Sequence, residues 1–104
     1  MRRVAERSLM RIRARMLDPD EVPTAPVTLR WRLDCQTTGY TLIDWTTATP
    51  TSLLEVTIPA EMNRIINARN RVERKVFTVE ANAGTDEAFT HEELYEVRNL
   101  TAVQ

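Results

Sequence analysis

The sequence has little of what most enzyme sites need: two glycines, one cysteine and one histidine among 104 residues. Two glycines are too few for a phosphate-binding loop, which excludes a nucleotide or dinucleotide site. Cys35 has no partner for an intrachain disulfide, and with His91 it leaves no zinc-binding set and no catalytic triad. No apolar run is long enough for a signal peptide or a membrane span. These absences predict a chain that is not an enzyme, has no cofactor and takes no small-molecule substrate.

Charge is unevenly distributed, although the formal net charge is only −1. Residues 1–17 contain one acid, Glu6, and six arginines: Arg2, Arg3, Arg7, Arg11, Arg13 and Arg15. An apolar stripe at helical spacing accompanies them: Ala5, Leu9, Ile12 and Met16. We therefore predict a basic N-terminal arm over residues 1–17, flexible or helical, and a Pro-rich linker at residues 18–26. Three interpretations of the arm remain open: it is a free tail, it docks on a protein, or it binds a polyanion such as nucleic acid.

Period-two alternation of apolar residues from position 27 onward predicts an antiparallel β-sandwich over residues 27–104. In residues 27–35 the inner row is Val27, Leu29, Trp31, Leu33 and Cys35. Arg30 and Arg32 share the exposed face of that strand. After a turn at Gly39, residues 40–46 return as a second strand, with Ile43 and Trp45 pointing inward.

The second half of the chain predicts three more strands and one helix. Residues 54–58 alternate, and Pro59 then begins a short helix at about residues 59–67. Residues 72–81 form the next strand, in which the inner positions are Phe77, Val79 and Ala81 and the exposed positions are Glu73, Lys75 and Glu80. After a turn centred on Gly84, a last strand through Tyr95 closes the sandwich.

Several residues have a chemical interpretation that the pattern does not favour. His91 is most simply a surface residue. Two groups of carboxylates, residues 18–21 and residues 86–93, match no recognised calcium-binding spacing, so no metal site is predicted. Trp31 and Trp45 would suit a platform that stacks sugars or bases, but both fall in register with aliphatic residues, which places them in the core.

Three stretches resemble fibronectin type III sandwiches, a branch of the immunoglobulin-like folds. They are Leu29-Arg30-Trp31 on one strand, Gly39-Tyr40 at the start of the next, and residues 76–84 before the last hairpin. The run at residues 76–84 lacks the tyrosine usual in that family, and the helix at residues 59–67 is also a departure from it. The fold that the resemblance implies is an all-β, antiparallel sandwich.

The region from Leu29 to Leu100 is also similar to small proteins encoded in the structural modules of tailed phages and prophages. The residues that carry this similarity are Asp34-Cys35, Asp44-Trp45-Thr46, residues 56–60, residues 70–74 and residues 97–100. The resemblance implies a virion head or tail component, present in the host cytoplasm during assembly. Its implied partners are other virion proteins or a second copy of itself, with no membrane. The candidate contact residues are the six arginines of the arm together with Arg30 and Arg32, and the alternative is a nucleic-acid-binding protein acting through the arm.

Overall fold

The computed structural model describes residues 1–100 and contains seven strands and one short 3₁₀ helix in that range. Residues 101–104 of the predicted sandwich lie outside the described residues. The strands are β1 (Arg2–Ala5), β2 (Met10–Arg15), β3 (Leu29–Cys35), β4 (Thr41–Thr47), β5 (Leu53–Ile58), β6 (Val72–Ala81) and β7 (Phe89–Arg98), and the 3₁₀ helix is Ala60–Asn63.

The strands form two sheets, which confirms the all-β expectation at this level. One sheet has the order β1-β7-β6-β3-β4, and the other contains β2 and β5. Their facing sides enclose one apolar cluster. Its members from the small sheet are Met10, Ile12, Ala14, Leu54, Val56 and Ile58, and those from the large sheet include Leu29, Leu33, Phe77, Val79, Ala81, Tyr95 and Val97.

The centre of the large sheet follows the predicted alternation. β3 and β6 are antiparallel, with Trp31 opposite Val79 and Leu33 opposite Phe77. Trp31 and Phe77 pack with ring centroids 5.5 Å apart on the inner side. β3 begins two residues later than predicted, and Val27 is 83% exposed rather than part of the core.

The predicted helical or flexible arm is wrong, because residues 1–17 contribute two strands to the sandwich. β1 is parallel to β7, and β2 is antiparallel to β5. The physical reason is visible in β2, where buried and exposed residues alternate. A period of two buries one side of a strand completely, whereas the helical stripe would have left Met10 and Ala14 in water.

The proline-rich stretch at residues 18–26 folds back on itself instead of extending as a linker. Leu17 and Pro23 form an isolated antiparallel bridge. A carboxylate oxygen of Asp18 accepts the backbone N–H groups of Asp20 and Val22, both at 2.9 Å. Side-chain acceptors of this kind stabilise tight turns. The segment is therefore a closed loop at one end of the sandwich.

The helix predicted at residues 59–67 is much shorter, a 3₁₀ helix of four residues after Pro59. The backbone becomes extended at Arg64, with ψ of 155°. Met62 and Ile65 nevertheless pack against the core, as their apolar character predicted. The remaining loop is fixed by a buried carboxylate, described next, rather than by helical hydrogen bonds.

Candidate functional site

Six of the eight arginines predicted as contact residues have partners inside the chain. Four of these arginines belong to the arm. Their acceptors are the carbonyl of Arg11 for Arg2 at 2.8 Å, Glu96 for Arg3 at 3.1 Å, Glu61 for Arg7 at 2.8 Å and Glu55 for Arg13 at 3.1 Å. The other two are Glu80 for Arg30 at 2.7 Å and Asp34 for Arg32 at 2.8 Å. The arm is thus tied to the sandwich and does not present a free cationic tail.

Arg11 and Arg15 differ, because neither forms an ion pair with another residue in the described range 1–100. Both are exposed and flank Arg13 on the outer face of β2. Alternate residues of a strand point to the same side and are roughly 7 Å apart. The small sheet therefore carries a row of three guanidinium groups, of which only the central one has an ion-pair partner among residues 1–100.

Trp45 lies on the outer face of the large sheet, so its predicted core position is wrong. The guanidinium carbon of Arg30 is 4.1 Å from the centroid of its ring, and that of Arg32 is 5.4 Å away. The pairing of β3 with β4 shifts register between Trp31 and Leu33. Such an irregularity changes which face the following residues occupy. Ile43, on the other side of the shift, does pack against the core.

The arginines on this face are ordered by neighbouring acids. Arg32 donates two hydrogen bonds to Asp34, both at 2.8 Å, and a third to the hydroxyl of Thr41 at 3.0 Å. Hydrogen bonding to Asp34 raises the pKa of Arg32. Partial burial raises the pKa of Asp34, but the hydrogen bonds from Arg32 and Thr41 outweigh it, and the net pKa is lowered. Both groups stay charged, so Arg32 is a fixed element of the surface.

A groove runs along the edge of β5 that faces away from β2. It has a volume of about 500 Å³, and its wall is formed by Trp31, Ala48, Thr49, Thr51 and residues 53–57. In the described part of the chain β5 has β2 as its one strand neighbour. Leu53 has its N–H and its carbonyl hydrogen-bonded to the Thr51 hydroxyl, both at 3.3 Å. The other backbone groups on the opposite edge have no strand neighbour in residues 1–100 and can pair with another strand. Trp31, which is only half-buried, gives the groove an apolar floor.

A buried ionic network lies at the start of β6, where the sequence predicted exposed charges. Glu73 and Lys75 are fully buried, so that prediction is wrong. The Glu73 carboxylate accepts the N–H groups of Ile66 at 2.6 Å and Asn67 at 2.8 Å, and the side-chain amide of Asn70 at 3.0 Å. Burial raises the pKa of Glu73, but these donors and Lys75 together lower it below its usual value. One carboxylate therefore fixes the loop that follows the 3₁₀ helix.

The rest of the network joins the loop to the N-terminal segment. Lys75 donates to the carbonyl of Arg64 at 2.9 Å and lies 3.3 Å from Glu73. Tyr95 donates its hydroxyl to Asn63 at 2.7 Å, and the Asn63 amide donates to the carbonyl of Ser8 at 2.7 Å. Burial raises the pKa of Tyr95. No buried side-chain nitrogen or oxygen in residues 1–100 lacks a hydrogen-bond partner. Such a saturated cluster makes this part of the core rigid.

This network was not predicted, although the sequence contains one signal for it. Residues 73, 75, 77, 79 and 81 have the same parity, and Phe77 was already placed inside. Cys35, predicted to be a small buried group, is indeed fully buried, with its sulfur 3.8 Å from Glu73.

The remaining candidate residues for catalysis or metal binding do not form a common site within residues 1–100. His91 is exposed on β7. Within residues 1–100 no three residues among His, Cys, Asp and Glu are grouped as a metal site would require. No helix of the described chain has the length and apolar character to cross a membrane. Comparisons with protein-family models, with curated proteins and with solved structures found no match.

Proposed function

We propose that this chain is a non-enzymatic module that binds other protein surfaces, as a structural or accessory component of a phage or prophage head or tail. The observation that carries the proposal is the groove along the free edge of β5. An extended segment of another protein can add to such an edge through backbone hydrogen bonds, while side chains set the specificity. The occupant we propose is an extended strand of another virion protein, with an apolar side chain seated on Trp31.

We also propose that the sandwich is of the immunoglobulin or fibronectin type III kind. The distribution of strands supports this assignment. The second and fifth strands lie in one sheet, and the third, sixth and seventh strands are neighbours in the other. Immunoglobulin-like sandwiches separate these five strands in the same way, whereas β1 and β4 depart from the seven-strand arrangement because both lie in the large sheet. They commonly act through edges and loops, which agrees with a binding role.

The test uses the structural proteins encoded by the genes beside this one, each purified and measured against this chain by biolayer interferometry. Ala48 lines the groove, so an Ala48→Arg variant should fill it and weaken binding by about tenfold or more, equivalent to about 1.4 kcal/mol. Thr47→Arg is the matched control. Thr47 is exposed and is the cross-strand partner of Arg30, on the face of the sheet that is turned away from the groove. Equal loss in both variants, or no binding to any head or tail protein, would contradict the proposal.

A second candidate function is nucleic-acid binding through the arginine row of β2. The observation that favours it is the absence of an ion pair at Arg11 and Arg15 within residues 1–100. Two free arginines that contact phosphates predict a shallow salt dependence, with a logarithmic slope of about −2. The informative variant is Arg11→Ala with Arg15→Ala, because deleting the segment would remove two strands. No DNA or RNA binding by the unaltered chain at low salt would eliminate this function.

A further inference from the structure

The two ends of the molecule carry opposite charge. The described chain measures 47 × 21 × 21 Å. A ten-residue strand is roughly 33 Å long, so β6 and β7 must follow the long axis. The turn between them, residues 82–88, is at one end, and the pair Val72 and Arg98 is at the other.

The first end is acidic. Residues 16–28 and 82–90 contain five aspartates and glutamates and no lysine or arginine. A cleft of about 620 Å³ opens between the two segments, with Asp18, Asp86 and Glu87 on its wall. Its remaining surface includes Leu17, Pro26 and Phe89. None of the three carboxylates forms an ion pair with a residue in the range 1–100.

The opposite end is basic. A cleft of about 560 Å³ has Arg69, Arg71 and Arg98 on its wall and no carboxylate. All three arginines are exposed, and the described residues contain no ion-pair partner for any of them. Val72 and Leu100 supply its apolar surface. Residues 101–104, which follow in the sequence, include no aspartate or glutamate.

We propose that copies of this chain associate head to tail, with the acidic cleft of one copy against the arginine cleft of the next. This proposal rests on the proposed structural function and specifies one partner, a second copy. In such a contact three carboxylates without an ion-pair partner in residues 1–100 face three guanidinium groups that also lack one there, and each cleft contributes apolar surface. Asp18 takes part although one of its oxygens already accepts two backbone N–H groups. The interface is heterologous, so successive copies form a ring or a filament rather than a closed dimer.

The ends are small. A cross-section of 21 × 21 Å corresponds to a buried surface of roughly 400 Å² per copy, about half of a standard interface. The association is therefore weak in isolation and sensitive to salt. Many equivalent contacts, as in a ring on a larger assembly, would strengthen it by avidity.

The test is sedimentation velocity of the full chain over a concentration series, at about 20 mM and about 500 mM salt. The average mass should rise with protein concentration at low salt and fall at high salt. Two variants reverse one end each: Asp86→Lys with Glu87→Lys, and Arg71→Glu with Arg98→Glu. Each variant alone should associate at least about tenfold more weakly, because like charges then face each other. A 1:1 mixture of the two should regain association, because the unaltered arginine end of the first variant faces the unaltered acidic end of the second, and the two altered ends also carry opposite charges.

Matched controls make the same charge changes away from both ends. They are Asp44→Lys with Glu92→Lys, and Arg2→Glu with Arg11→Glu, all at exposed positions. Asp44 lies 3.7 Å from Arg32, so the single variant Glu92→Lys shows whether losing that ion pair matters. Circular dichroism checks that every variant is folded. Four results would overturn the proposal: a monomer at every concentration, an assembly that stops at two copies, equal effects of controls and end variants, or a mixture that stays monomeric. A chain that does not self-associate should still bind other virion proteins through the groove, with the same difference between Ala48→Arg and Thr47→Arg. The two proposals can therefore fail separately.

Discussion

Glu73 and Glu80 lie seven positions apart on β6, and both pair with a cation, but on opposite sides of the sheet. The Glu73 side chain is fully buried, whereas 22% of the Glu80 side chain is exposed and its partner Arg30 is 41% exposed. Removing one partner of a buried pair leaves a charge without compensation, but exposed pairs contribute little. The same chemical pair is thus structural on one side of the strand and mainly a surface feature on the other.

The largest expected effect comes from Glu73→Gln. Lys75 would keep its charge in the interior, and the N–H groups of Ile66 and Asn67 would lose a charged acceptor. We expect a loss of about 3–5 kcal/mol in the free energy of unfolding, measured by urea denaturation. Glu80→Gln is the control on the same strand and should cost less than about 1 kcal/mol. Similar losses for both variants would remove the distinction between the two sides.

A smaller loss is expected for Tyr95→Phe, which removes the hydroxyl that donates to Asn63. The buried amide oxygen would be left without a donor, at a cost of about 1–3 kcal/mol. Tyr40→Phe makes the same change at a tyrosine that is 48% exposed and should be near neutral. Thermal unfolding of the two variants measures the difference. A neutral Tyr95→Phe would mean that Asn63 does not depend on this hydrogen bond.

The pH dependence of stability should also report the buried side. Because the folded pKa of Glu73 is lowered, its contribution is complete above the unfolded value of about 4.3 and is lost as pH falls through the folded value. The pKa of Tyr95 is raised, so its contribution is present below about pH 10 and is lost on further increase of pH. Unfolding curves should show both losses, the acidic one reduced in Glu73→Gln and the alkaline one in Tyr95→Phe. Acid sensitivity unchanged in Glu73→Gln would assign it to other carboxylates.

The smallest effect concerns Trp45 on the outer face. Stacking of Arg30 on this ring should contribute about 0.5–1 kcal/mol, measured as the coupling energy in a double-mutant cycle of Trp45→Ala and Arg30→Met. Trp31→Ala should instead cost about 2 kcal/mol, because that half-buried ring packs on Phe77 on the inner side of the sheet. A large loss for Trp45→Ala would indicate that the outer face contributes more to folding than its exposure suggests.

The sequence alone predicted the parts of the fold in which apolar alternation is uninterrupted. β6 has the predicted bounds, and the inner row of β3 is correct from Leu29 to Cys35. The errors arise where the charge of a residue and its place in the two-residue alternation indicate opposite faces of the strand. Glu73 and Lys75 were judged by charge, although their parity with Phe77 placed them inside. In β2, three apolar residues (Met10, Ile12 and Ala14) alternate with arginines, yet a helical stripe was favoured.

Other features depend on three-dimensional pairing and could not be fully predicted. The register shift that turns Trp45 outward has one marker in the sequence, the adjacent Leu42 and Ile43, which cannot both point inward on a regular strand and which both pack against the core. The ion pairs of Arg3 and Arg13 join strands far apart in the chain, so they follow from sheet order. The opposite charges of the two ends also need the topology, because residues 16–28 and 82–90 become neighbours only when the sandwich closes.

The parallel contact of β1 with β7 has a consequence for synthesis in the cell. β1 and β2 leave the ribosome first, but their strand partners β5 and β7 emerge much later. Contacts of such long sequence separation make folding slow. During that delay the apolar residues of β2 are exposed to solvent, and an unpaired strand of this kind promotes aggregation. The arginines that alternate with these residues keep the unpaired nascent segment charged, and this charge opposes aggregation before the sandwich has formed.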